Sequence, residues 1–292
     1  SMWLPAREHI GRPHLDIVYA KRHIKPVILL FLPQIAISLY ITLDRTMLGA
    51  LSSTTDVGIY DQALKLLNIL LTIVTSLGSV MLPRVSNLLS LGNQKAVNKL
   101  HEMSFLVYNL VIFPMIAGIL IVNKDFVNFF LGQDFQEARH AIAIMVFRMF
   151  FIGWTNIMGI QILIPHNKNR EFMLSSTIPA FFSVGLNILL IPSLGYIGAS
   201  IVSVDTEGLV WLLQLYFTRS YLKEIKILPS MLKILAASLI MYGILYIIQP
   251  LLHFPSVVNV LISAMLGLFI YAGLVLTLRV LDFQELKNVF KK

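Results

Sequence analysis

Cysteine is absent from this sequence and charge is scarce, with 13% of its 292 residues being Asp, Glu, Lys or Arg. Without cysteine there are no disulfides and no thiolate metal sites. Soluble domains carry about 25% charged and roughly 45–50% apolar residues. A chain with half that charge cannot coat a water-facing surface, so an ordinary soluble domain is excluded. Enzyme signatures are lacking as well. There is no HExxH spacing, no phosphate-binding glycine loop and no nucleophile elbow. His9, His14 and His23 lie in an N-terminal arm without ligand spacing, and His101, His140 and His253 are scattered. No enzyme and no cofactor is expected. No repeat and no low-complexity linker divides the chain.

What is abundant is apolar. Hydrophobic residues make up 57% of the chain, and mean hydropathy is +0.79. A bilayer absorbs that surplus. Segments near 26–48, 59–82, 104–122, 139–164, 172–191, 196–217, 232–249 and 256–278 are long and apolar enough to cross a hydrocarbon core of about 30 Å at 1.5 Å per residue. The fold class expected is all-α: a polytopic integral membrane bundle of about eight transmembrane helices. Ser1–Met2 reads as a processing scar, and residues 3–25 lack the apolar core of a signal sequence.

Charge placement tests that count. With the N-terminus inside, most of the 23 Lys and Arg fall in cytoplasmic segments, among them Arg7, Arg12, Lys21, Arg84, Lys95, Lys168, Arg170, Lys223, Lys287 and Lys291. The external segments hold only Lys124 and Arg139. This is the positive-inside pattern, and an even helix count puts both termini in the cytoplasm. Topology therefore accounts for the formal charge of +8, and no nucleic-acid partner is needed. Three stretches read as interfacial. Residues 84–102 suit an amphipathic helix interrupted at Gly92, 125–137 carry Phe126, Phe129 and Phe130, and 281–292 form a basic amphipathic tail toward anionic membrane lipids. His166, Asn167 and Lys168 read as a tight cytoplasmic turn.

Charges within spans are costly and point to function or to a partner. Asp44 and Arg45 end the first span at the level where Asp61 and Lys65 open the second, so these groups can pair across two helices. Arg148 lies about 13 Å into the fourth span, counted from Arg139. Asp205 and Glu207 reach similar depth in the sixth. Being two residues apart, they diverge by about 200° and cannot share a face. One can meet Arg148 while the other faces elsewhere; a solvated substrate or ion pathway is the competing reading. Pro33, Pro114 and Pro179 lie inside spans and favour kinks. Asn156, Gln161 and Asn187 suit helix–helix hydrogen bonds.

Six connecting motifs, read in order, resemble the Wzx-type polysaccharide transporters of the multidrug/oligosaccharidyl-lipid/polysaccharide exporter superfamily. They are LDRTMLG at 43–49, VGIYDQALKLLN at 57–68, VMLPRVSNL at 80–88, FFLGQDFQEA at 129–138, QILIPHNKNREF at 161–172 and LNILLIPSLGYIGASI at 186–201. The last two spans fit by position only. The resemblance implies a two-lobed fold of fourteen helices, of which these eight are the last. It divides the chain into a cytoplasmic inter-lobe segment (1–25), a C-terminal six-helix lobe (26–220), and two further helices with a basic tail (221–292). An N-terminal lobe is then a missing partner.

The resemblance further implies flipping of a polyprenyl-diphosphate-linked oligosaccharide across the bacterial plasma membrane, with half of a cation-coupled multidrug exporter as the alternative. An integral membrane polymerase or ligase is a third reading, and the short, sparsely charged external loop at 123–138 argues against it. Substrate or ion pathway candidates are Asp44, Arg45, Lys65, Arg148, Asn187, Asp205, Thr206 and Glu207. By likeness to related lipid II flippases, Asp44, Asn187 and Thr206 are candidates for a coupling sodium ion. A second acidic ligand is lacking, because Ile191 stands one turn after Asn187.

Overall fold

The computed structural model describes residues 17–280, apart from some side chains of the first two helices. The expected inter-lobe segment falls mostly, and the basic tail 281–292 entirely, outside the described residues. The elements are helices throughout: α1 (Ile17–Leu51), α2 (Thr54–Ser90), α3 (Gln94–Phe130), α4 (Ala138–Leu163), α5 (Asn169–Leu194), α6 (Tyr196–Leu222), α7 (Leu228–Ile248) and α8 (Ser256–Thr277). Among the described residues, α2 to α8 are seven helices long and apolar enough to cross a membrane. The first expected span, 26–48, lies within α1 and includes side chains outside the description.

Local chemistry sets the helix ends. Ser53 caps α2 by accepting from the Asp56 amide at 3.1 Å, and Asn93 caps α3 by accepting from that of Ala96 at 3.2 Å. Pro229 sits in the first turn of α7, where its missing N–H costs nothing. Asn167 adopts φ 58° in the turn before α5, a left-handed conformation that asparagine tolerates. The single-residue link between α5 and α6 is Gly195 at φ 54°. Past it, a Cβ on Gly198 would lie 2.7 Å from the Leu190 carbonyl oxygen, so the two helices meet backbone to backbone.

Two elements differ from expectation. The stretch 84–102 is not a separate amphipathic helix. It forms the ends of α2 and α3 folded around Gly92 at φ 69°, and Val85, Val97 and Leu100 bury one another across that turn with Leu88 and Leu89. Helix α4 is not α-helical throughout, since Asn156–Leu163 winds as a π-helix. The helices run on through Pro83, Pro114, Pro179 and Pro192.

Helix α1 packs along α5, and α5 along α6, while α4 lies against α2, α3 and α6. Tyr60, Phe105, Tyr108, Ile142, Met145, Met149, Ile157 and Met158 fill the space between them and are nearly or fully buried. The α7–α8 pair packs on itself and on α3, through Ala117, Ile121, Met241 and Leu245. Large apolar side chains cover the outside, including Phe181, Leu189, Ile247 and Phe269. A bilayer satisfies that surface, and helices satisfy their own backbone within it.

Candidate functional site

The polar groups of the membrane region converge on five helices. Tyr40 and Asp44 stand one turn apart on the same face of α1, and both are buried. The Asp44 carboxylate accepts from Asn187 Nδ2 on α5 at 2.6 Å and from the Tyr60 hydroxyl on α2 at 3.3 Å. The Tyr40 hydroxyl donates to Glu207 Oε1 on α6 at 2.8 Å, and an Arg148 terminal nitrogen on α4 donates to the same oxygen at 3.2 Å. Arg148 and Glu207 form a buried ion pair. Desolvating two such charges is offset only when they stay together.

That pair forms one wall of a cavity of about 360 Å³ between α1, α2, α4, α5 and α6. Asn68, Thr72, Thr155, Asn156 and Gln214 contribute much of the remaining polar lining. Two apolar clefts contrast with it. One of about 410 Å³ lies between α3, α4 and α7, and one of about 530 Å³ between α3, α7 and α8.

The structure sorts the expected site residues. Arg148 and Glu207 come together, as do Asp44 and Asn187. Asp205 is exposed on the opposite side of α6 from Glu207, as the helical phase requires. Arg45 pairs with Asp61 at 2.7 Å, both partly exposed, whereas Lys65 is exposed on α2. Thr206 is buried, and its hydroxyl donates to the Val202 carbonyl at 2.7 Å within its own helix. The sequence reading missed Tyr40, Tyr60, Ser203 and Gln214. Helical spacing was the available signal, since Tyr40 is four residues from Asp44, and Ser203 and Gln214 are four and seven from Glu207.

For a cation, the Asp44 carboxylate has beside it Asn187, whose Oδ1 is buried without a partner, whereas the Thr206 hydroxyl is bonded within its own helix. One carboxylate among neutral oxygens matches a single positive charge. No group of three or more His, Asp or Glu able to hold a metal occurs among the described residues.

Residues 2–140 match the model of a family described as polysaccharide biosynthesis protein. The chain is 28% identical over 216 residues to a putative O-antigen transporter of Escherichia coli K12, covering 72% of this chain and 51% of the relative. The chain is similar to the oligosaccharide flippases. A probable low-salt glycan biosynthesis flippase of Haloferax volcanii is 22% identical over 253 residues, 86% of this chain and 53% of the relative. An uncharacterized membrane protein of Methanocaldococcus jannaschii is 25% identical over 234 residues, 79% of this chain and 45% of the relative. In fold, the chain resembles the lipid II flippase MurJ in its inward closed conformation, with a TM-score of 0.75 at 15% identity, over 92% of this chain and 57% of that one. The chain thus spans about half the length of the flippases and other relatives it matches.

Proposed function

We propose that this chain is part of a non-enzymatic transporter that flips a polyprenyl-diphosphate-linked oligosaccharide, such as a capsule, O-antigen or exopolysaccharide repeat unit, across the bacterial plasma membrane. The observation that carries this reading is the polar cavity at Arg148 and Glu207, buried in a bundle whose outer surface is apolar. Ionisable groups at membrane depth mark substrate or ion pathways. Half of a cation-coupled drug exporter of the same superfamily is the alternative reading, and the amides and hydroxyls among the lining residues favour the glycan.

In this reading both termini are cytoplasmic. Residues 1–25 are the inter-lobe segment, 26–220 the six-helix lobe, and 221–292 two added helices with a basic tail. Alternating access rocks one bundle against another around a shared site, so the chain acts with an N-terminal lobe. A coupling cation such as sodium would be held by Asp44, Asn187 and Thr206, supplying positive charge against the Asp44 carboxylate.

Complementation tests the proposal. A flippase-deletion strain that receives this chain together with a cognate N-terminal lobe should regain its surface glycan. Failure of the reunited pair, with both parts present in the membrane, would overturn it.

A further inference from the structure

We infer that the cavity between α1, α2, α4, α5 and α6 binds an uncharged sugar ring of the substrate, and that the diphosphate is held outside it. This rests on the transport reading and adds which part of the substrate the site takes.

Charge is the first argument. Among the described residues, Arg148 and Glu207 are the charged groups lining the cavity, and they are paired at 3.2 Å. The wall is therefore neutral. An entering phosphate would gain a guanidinium that is already committed, and would face the Glu207 carboxylate beside it. Like charges at that range repel, and low dielectric strengthens the repulsion.

Hydrogen bonding is the second argument. Arg148 is 3% exposed and Gln214 is 2% exposed, and both line the cavity. The Arg148 guanidinium donates, and the Gln214 amide both donates and accepts. A hydroxyl also does both, so a sugar ring answers a lining of mixed donors and acceptors. A substrate phosphodiester only accepts, and answers the donors alone. The amides of Asn68 and Asn156 and the hydroxyl of Thr72 extend the same mixed pattern, and Phe172 offers an apolar surface to ring carbons. The volume of about 360 Å³ lies within the roughly 300–1,000 Å³ usual for small-ligand sites.

Calorimetric titration of the full chain in lipid nanodiscs tests the inference, with a neutral disaccharide, its uronic-acid counterpart and inorganic pyrophosphate as probes. The neutral disaccharide should bind more tightly than either anion. Gln214→Leu and Thr72→Val should each weaken it at least fivefold while the helical circular dichroism is kept. Tighter binding of pyrophosphate, no sugar binding by folded protein, or unchanged binding in both variants would each overturn the inference. Sugar binding without restored export in the complementation test would remove the transport reading alone. Restored export with pyrophosphate preferred at this cavity would remove the present inference alone.

Discussion

Glu207 Oε1 serves two donors from two helices, Tyr40 on α1 and Arg148 on α4. Removing either charged partner strands the other in a buried site, at a cost of about 3–5 kcal/mol, whereas replacing both with apolar residues is often near neutral. Arg148→Met and Glu207→Leu should therefore each lower the unfolding midpoint in detergent sharply, and the double variant should recover most of the loss. Additive losses would show that the two residues act independently. A pair at Arg148 was legible because Arg148, Asp205 and Glu207 are charges at matching depth, but helical phase only separated the two acids and left open which of them meets Arg148. Tyr40 was not legible. Tyrosine at helical spacing looks like ordinary core, and only the fold brings its hydroxyl to a carboxylate 167 residues away.

At the scale of elements, close backbone approach marks the tightest joints. Gly198 meets the Leu190 carbonyl, and backbone cannot move aside as a side chain can. Gly198→Ala should cost about 1–3 kcal/mol by overpacking, read as a lower unfolding midpoint, while the same change at Gly118, which faces open space, should leave it unchanged or raised. An equal loss at both positions would refute the close-contact argument. Seven helices fall where apolar length placed them, because hydrocarbon thickness imposes length directly. The π-helical winding of Asn156–Leu163 left no such trace. Its residues are as apolar as those of any span, and its contacts to α3, where Ser104 donates to Gln161 Oε1 and Tyr108 to Asn156 Oδ1, come only with the fold.

For the whole molecule, α3 is the shared member, packed on α2 and α4 on one side and on α7 and α8 on the other. The absence of native cysteine makes the proposed orientation simple to test. Gln133→Cys and Arg170→Cys lie in exposed positions at opposite ends of α4, near its junctions with α3 and α5. A membrane-impermeant maleimide should label the first in intact cells, and the second only after permeabilisation. The reverse pattern would invert the topology.

The π-helical stretch of α4 also has a genetic consequence. A π turn closes its hydrogen bond one residue later than an α turn, so it accommodates one extra residue. Deleting a single codon between 156 and 163 would let the stretch rewind as an α-helix and turn Asn156 and Ile160 relative to each other on the cavity wall. Loss of one residue would thus reshape this part of the wall while the lining side chains of the other four helices stay in place.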